Sequence, residues 1–283
     1  VPELPEVETI ARTLAAEAEG REILRVEILD STALVPDAAT FAALVAGRRI
    51  ASVGRRAKLL LLSLAPVAGD TGATIAVHLR MTGRVFVLAP GMETTRTRAV
   101  LHLSDGSRLA FADLRRFGTM HAFPGGLDGA AICAWPFYAG LGPEPLTMDA
   151  ATFRARLGRG RARIKALLLD QTVVAGIGNI YADEALFRAG IRPDTPAGQV
   201  APAKRDALFK AVQDVLTLAI AENGSSIRDY RDAHGDAGAF QNHFRAYGRG
   251  GEPCLTCGET MRAMRVAGRT STFCPHCQPA PKG

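Results

Sequence analysis

The sequence predicts an α+β multidomain protein: an antiparallel β-domain with flanking helices, then a helical segment, then a compact cysteine-based hairpin. Three observations carry this. Between residues 22 and 123, short apolar or alternating runs follow one another with few helical patterns between them. From 150 to 223 the apolar spacing changes to the helical period. The final stretch holds four cysteines in two closely spaced pairs.

In order, Pro5 suits a first helical turn, and Val7, Ile10, Ala11, Leu14 and Ala18 recur at helical spacing, so a helix is expected over 5–19. Strands are expected at 23–29, 50–53, 58–64, 74–79, 84–88, 99–103, 108–112 and 119–123, with one helical exception at 40–46. Turn-prone pieces such as Ala68-Gly-Asp-Thr-Gly72 and Ser104-Asp-Gly-Ser107 separate them. Short strands at this spacing indicate a sandwich or barrel rather than a parallel sheet. Residues 124–149, rich in Gly and Pro, read as a connector. Helices follow at 150–158, 162–171, 179–189 and 203–223; Gly178 or Asn179 caps the third and Gly190 ends it. Residues 224–250 read as a mobile loop. Domains are therefore expected at 1–130, 150–235 and 236–283, with a linker at 131–149.

Composition is that of an ordinary globular chain, 47% hydrophobic and 22% charged. No run of about 18 uncharged apolar residues occurs, and the start shows neither a basic leader nor a hydrophobic segment, so a cytosolic protein without a membrane span is expected. The net charge of +6 is uneven. Residues 1–149 hold 15 Lys and Arg against 16 Asp and Glu, whereas 150–283 hold 19 against 12. Arginine matches phosphate oxygens with a planar, permanently charged fork, so this half suits a polyanion; a solvated basic surface is the plainer alternative.

Cys254-x2-Cys257 and Cys274-x2-Cys277 are separated by sixteen residues. Each two-residue gap lets a tight knuckle aim two thiolates at one ion, and the length between suits a hairpin. One structural Zn²⁺ is expected. Four thiolates leave no open coordination position, so the metal holds the hairpin rather than performing chemistry. His276 reads as a bystander, and Cys133 as a small buried residue.

The opening Pro2-Glu-Leu-Pro-Glu-Val-Glu-Thr resembles that of the bacterial formamidopyrimidine-DNA glycosylase family, base-excision repair enzymes for oxidised purines. The resemblance runs along nearly the whole chain, through Arg55-Arg-Ala-Lys58, His78-Leu-Arg-Met-Thr-Gly83, Asp113-Leu-Arg-Arg-Phe-Gly118, Leu141-Gly-Pro-Glu-Pro-Leu146, the Gly176-Ile-Gly-Asn stretch to Phe187, Tyr247 to Cys254, and Gly268 to Cys274. It implies an N-terminal β-sandwich, a helix-two-turn-helix domain and a zinc finger. It also implies base removal from damaged double-stranded DNA, followed by strand cleavage at the abasic site, by a monomer associated with the bacterial nucleoid.

The resemblance assigns roles residue by residue. Pro2 is the nucleophile: a free N-terminal secondary amine titrates near about 7.7–8.0, so a useful fraction is unprotonated at neutral pH. If Val1 stays attached, the Pro2 nitrogen is an amide and this chemistry fails, so the active chain is expected to begin at Pro2. Glu3 matches the family's acid; a helix N-terminal carboxylate is the plainer reading, and it suits Glu6 and Glu8 better. Lys58 matches the active-site lysine. Arg269 matches the arginine that clamps phosphate and is assigned to δ-elimination; its high pKa makes clamping the firmer role. Met81, Arg115 and Phe117 match the residues that fill the hole left by the extruded nucleotide. On spacing alone, Met81 and Phe117 read as core. Arg116, Asn179 and Tyr181, and more loosely Arg96 and Arg161, match contacts to the DNA backbone. The segment from Gly224 to Gln241 resembles the loop that closes over 8-oxoguanine. Together with Leu4, it favours an enzyme for purines over the related endonuclease VIII, which prefers oxidised pyrimidines. A non-catalytic zinc-ribbon DNA binder is the rival of another class.

Overall fold

The computed structural model describes residues 2–67, 69–226 and 230–281. Contacts divide the chain into two compact units. One contains the chain up to Ala139 together with Glu222–Ala239, and the other contains Gly140–Ala221 and the chain from Phe240 onward. The chain thus leaves the first unit, returns to it for one excursion and leaves again.

The first unit begins with helix α1 (Leu4–Ala18), followed by β1 (Glu22–Ile28), β2 (Leu34–Val35) and α2 (Ala38–Val45). Strands β3 (Arg48–Arg56), β4 (Leu59–Leu64), β5 (Ala73–His78), β6 (Gly83–Leu88), β7 (Thr97–Leu103), β8 (Arg108–Asp113) and β9 (Thr119–Pro124) come next. The helix expected at 40–46 is α2, capped by the Asp37 carboxylate accepting from Thr40 N–H at 2.9 Å. All eight expected strands form. The two-residue β2, too short to leave a periodic signal, adds a parallel partner to β9.

Hydrogen bonding orders the strands β2-β9-β5-β4-β3-β1-β7-β8-β6. Between β1 and β3 only two residue pairs form, Glu22 with Arg49 and Ile23 with Arg48, so the sheet divides there into two halves. Leu60, Leu62, Ile75, Val77 and Met120 from one half share a single buried cluster with Ile23, Leu101, Leu109 and Phe111 from the other. That shared core makes the unit a β-sandwich, and α1 adds Val7, Ile10 and Leu14 to it.

The connector is less bare than its composition implies, since it carries two one-turn helices, α3 (Ala130–Cys133) and α4 (Pro136–Ala139). Cys133 is exposed, contrary to the buried position expected of it. Ile132, next to it, turns inward instead.

The second unit holds α5 (Ala150–Leu157), α6 (Ile164–Leu169), α7 (Asn179–Ala189), α8 (Pro202–Ala221) and the hairpin β10 (Arg262–Val266) with β11 (Arg269–Phe273). Gly178 is the N-cap of α7, and Gly190 ends it in the left-handed conformation that a side chain resists. No helix among the described residues is long and apolar enough to cross a membrane.

Candidate active site and nucleic-acid interface

In the first unit, Pro2 and Glu3 are buried at the start of α1, with Glu3 as its N-cap. The Glu6 carboxylate turns back and accepts the Glu3 N–H at 2.9 Å, satisfying a donor that the first turn leaves free. Glu6 does more than the helix-end role expected of it. It is 1% exposed, and its other oxygen accepts both the N–H (2.8 Å) and the hydroxyl (2.9 Å) of Ser225. Tyr230 O–H donates to the Glu6 carbonyl at 3.3 Å. The excursion that returns to this unit is therefore fastened to the first turn of α1.

The expected loop begins here. Gly224 has φ +79°, and a Cβ on it would lie 2.9 Å from Glu6 Cγ, so only glycine fits. Ser225 pairs with Ala239 across the loop base, and the Ser226 hydroxyl accepts from Gly238 N–H at 3.0 Å. The flanks are thus hydrogen-bonded segments rather than free chain. Ile227, Arg228 and Asp229 lie outside the described residues.

Lys58 occupies the two-residue turn between β3 and β4, after Ala57 in the left-handed region. Arg55, just before that turn, donates through Nε to Glu8 on α1 at 2.8 Å, tying the turn to the helix that carries Glu3. His78 at the end of β5 is pushed down to about 3, first by burial and then by the charges of Arg80 and Lys58.

Met81 and Phe117 stand on neighbouring turns and are exposed, 36% and 53% respectively, which removes the core reading. The Arg115 guanidinium lies 4.9 Å over the Phe117 ring. Arg116 is exposed with φ +59°, and its guanidinium pairs with Asp30 rather than standing free. Asp30 also accepts from the Thr32 hydroxyl at 2.6 Å and faces Arg98 Nε at 2.8 Å. The Thr32 hydroxyl foremost, with Arg116 adding to it, holds the Asp30 carboxyl down to about 2. Arg96 is exposed ahead of β7.

In the second unit, Asn179 opens α7 and donates through Nδ2 to the Thr270 carbonyl of β11 at 3.1 Å. Its Oδ1 is buried and has no hydrogen-bond partner among the described residues. Arg269 begins β11 directly after the turn residues Ala267 and Gly268, both at positive φ, and is exposed near the hairpin tip. Arg161 is exposed between α5 and α6. Tyr181 departs from expectation: it is 1% exposed with its ring 5.4 Å from that of Phe240, so its side chain does not reach the surface for a phosphate contact. Helical periodicity places it on the inner face of α7.

The sulfurs of Cys254, Cys257, Cys274 and Cys277 all lie within 4.8 Å of one another. Tetrahedral Zn–S bonds of about 2.3 Å put sulfurs about 3.8 Å apart. The observed separations are 4.0 Å (Cys254–Cys277) and 3.5 Å (Cys257–Cys274). Backbone N–H groups of Thr256 and Cys277 point at Cys254 and Cys274 sulfurs at 3.4 and 3.3 Å, as suits thiolates. The quartet fits one structural Zn²⁺.

Several residues that hold these groups in place were given no role by the sequence. Lys165 and Asp183, 0% and 1% exposed, join α6 and α7 to β11. Glu184 accepts the N–H groups of Arg245, Ala246 and Tyr247, and Gln278 donates to the Ile191 carbonyl at 2.8 Å. Buried polar residues break the apolar period, so pattern reading assigns them to the surface.

Comparison with known proteins agrees along the chain. Residues 1–120 match the family model for the formamidopyrimidine-DNA glycosylase N-terminal domain, 141–231 that for the H2TH domain of the same glycosylase, and 251–280 the zinc finger found in FPG and IleRS. A formamidopyrimidine-DNA glycosylase of Chloroflexus aggregans is 48% identical, with 98% of each chain covered. The Lactococcus lactis Fpg in complex with DNA containing an abasic site superposes with a TM-score of 0.88 at 32% identity, covering 98% of this chain and 100% of that one. A Lactococcus lactis FPG mutant with Fapy-dG containing DNA gives the same TM-score and identity over 99% and 100%.

Proposed function

The chain belongs to the formamidopyrimidine-DNA glycosylase family, and on that premise we propose that it excises oxidised purines, 8-oxoguanine and formamidopyrimidines, from double-stranded DNA and then cleaves the strand at the abasic site. The observation that carries this reading is the placement of Pro2 and Glu3, both buried at the first turn of α1 beside the fastened base of the 224–239 loop.

With Val1 removed, the Pro2 nitrogen attacks C1′ of the damaged nucleotide. The C1′–N bond breaks and the base departs with its electron pair, protonated in the site. Loss of the amine proton leaves a neutral aminal in which C1′ is bonded to both the Pro2 nitrogen and the ring oxygen. Glu3 protonates that oxygen, the C1′–O4′ bond breaks as the nitrogen lone pair forms an iminium between Pro2 and the sugar, and the ring opens. The iminium acidifies the C2′ proton; its removal expels the 3′ phosphate, and a second elimination expels the 5′ phosphate. Lys58 serves the lesion, the nearby phosphates and the first elimination. Arg269 clamps a phosphate, as do Asn179, Arg161, Arg96 and Arg116, the last after leaving Asp30. Met81, Arg115 and Phe117 fill the hole in the duplex. The Zn²⁺, bound by its four cysteines, maintains the hairpin that presents Arg269. The protein works as a monomer in the cytoplasm, at the nucleoid.

Borohydride trapping tests this reading. A covalent adduct is expected with duplex carrying 8-oxoguanine opposite cytosine. Adducts with thymine glycol only would assign it to oxidised pyrimidines, and none with either would leave a DNA-binding module.

A further inference from the structure

The two turns that carry the expected hole-filling residues link different strands, β5 to β6 and β8 to β9, yet one buried carboxylate joins them. Asp113, the last residue of β8, is 2% exposed. Its Oδ1 accepts the Thr82 hydroxyl at 2.5 Å, and its Oδ2 accepts Gly118 N–H at 2.6 Å. The Arg115 N–H, at 3.0 Å from the Thr82 hydroxyl oxygen and 3.2 Å from Asp113 Oδ1, points into the same junction. Thr82, 9% exposed, follows Met81, and Gly118 follows Phe117. The carboxylate and hydroxyl thus grip both exposed side chains through their immediate neighbours.

Packing leaves the junction no slack. A Cβ on Gly118 would meet the Phe111 ring at 2.8 Å, and one on Gly83 would meet the Leu79 carbonyl at 2.4 Å. Arg80 and Arg116 both hold left-handed backbone, φ 54° and 59°. L-residues adopt that region only where surrounding contacts over-determine it.

We propose that Asp113 and Thr82 are positioning residues that make the Met81 turn and the Arg115–Phe117 turn one rigid wedge. This rests on the reading above, in which those side chains enter the duplex. A wedge must be preformed to be worth inserting, because ordering two loose turns during extrusion would be charged against binding. The pair therefore governs events that need an opposing strand and is silent where there is none.

Thr82→Val keeps the shape and deletes the hydroxyl, while Thr82→Ser keeps the hydroxyl. Thr82→Val is expected to lower excision of 8-oxoguanine from duplex about tenfold, the scale of a lost bond to a charged group, and to blunt discrimination of the opposite base. Cleavage of an abasic site in single-stranded DNA should stay within twofold, and Thr82→Ser should behave as wild type. Asp113→Asn, with one acceptor oxygen instead of two, is the second variant and should show the same split. Duplex excision by Thr82→Val within twofold of wild type, or equal losses on both substrates, overturns the proposal. Absence of excision by the wild-type protein would instead overturn the functional reading itself.

Discussion

The Nζ of Lys165 lies 2.6 Å from Oδ1 of Asp183, and neither side chain is exposed by more than 1%. The same ammonium donates to the Ser271 hydroxyl at 2.7 Å, while the other Asp183 oxygen accepts Thr272 N–H at 3.1 Å. One buried ion pair thus holds β11, and with it Arg269, against α6 and α7, the second of which begins at Asn179. Burial costs such a pair more than an exposed one, and removing a single partner strands the other charge. Lys165→Met is expected to destabilise the protein by about 3–5 kcal/mol in urea unfolding. Lys165→Met combined with Asp183→Asn should recover part of that loss. Equal instability of the double variant would contradict the assignment.

The sulfur quartet predicts one zinc per chain. Elemental analysis should give that stoichiometry for the wild type and a clear loss for Cys274→Ser, whose parent side chain is 0% exposed. DNA affinity should fall with the metal by at least about tenfold, because the hairpin no longer holds its arginines in place. Full affinity without metal would show that the hairpin stands unaided.

Gly224 and Glu6 give a third expectation. Gly224→Ala drives a Cβ to within 2.9 Å of Glu6 Cγ in a backbone region that side chains resist. The displaced Glu6 then loosens both the Glu3 cap and the Ser225 anchor. Excision of 8-oxoguanine should drop roughly tenfold, mostly in kcat, with binding to undamaged duplex unchanged. A wild-type kcat would refute the coupling.

His78 sets a pH dependence. Its folded pKa of about 3 lies below the ordinary value of 6.5, because burial and then Arg80 and Lys58 disfavour the charged ring. Its Nδ1 also accepts the Arg80 N–H at 3.1 Å, which requires an unprotonated nitrogen. The stabilisation is therefore complete above pH 6.5 and is lost as pH falls toward 3. Between pH 6.5 and 5 this costs roughly 2 kcal/mol. Melting temperatures over that interval should fall more for wild type than for His78→Gln. Parallel curves would assign the acid sensitivity elsewhere.

Much of this fold was legible because its signals are local. Apolar period two gave the strands, period 3.6 gave α7 and α8, and cysteine spacing gave the metal site. The candidate site was legible through motifs, which name Pro2, Glu3 and Arg269 but not what holds them. Lys165, Asp183 and Glu184 act through partners 18 to 106 positions away, and Asp113 reaches Thr82 across 31, so no pattern within a window of residues registers such pairings. Exposure also escapes a local pattern: Cys133 is exposed while Ile132 beside it is buried, and Tyr181 is buried with its ring near that of Phe240.

Peptide mapping of the borohydride-reduced complex with 8-oxoguanine duplex addresses the central chemistry most directly. The account predicts the sugar remnant on the nitrogen of Pro2, in a peptide that starts at that residue. A remnant on Lys58 Nζ, or on a chain that still carries Val1, would contradict it.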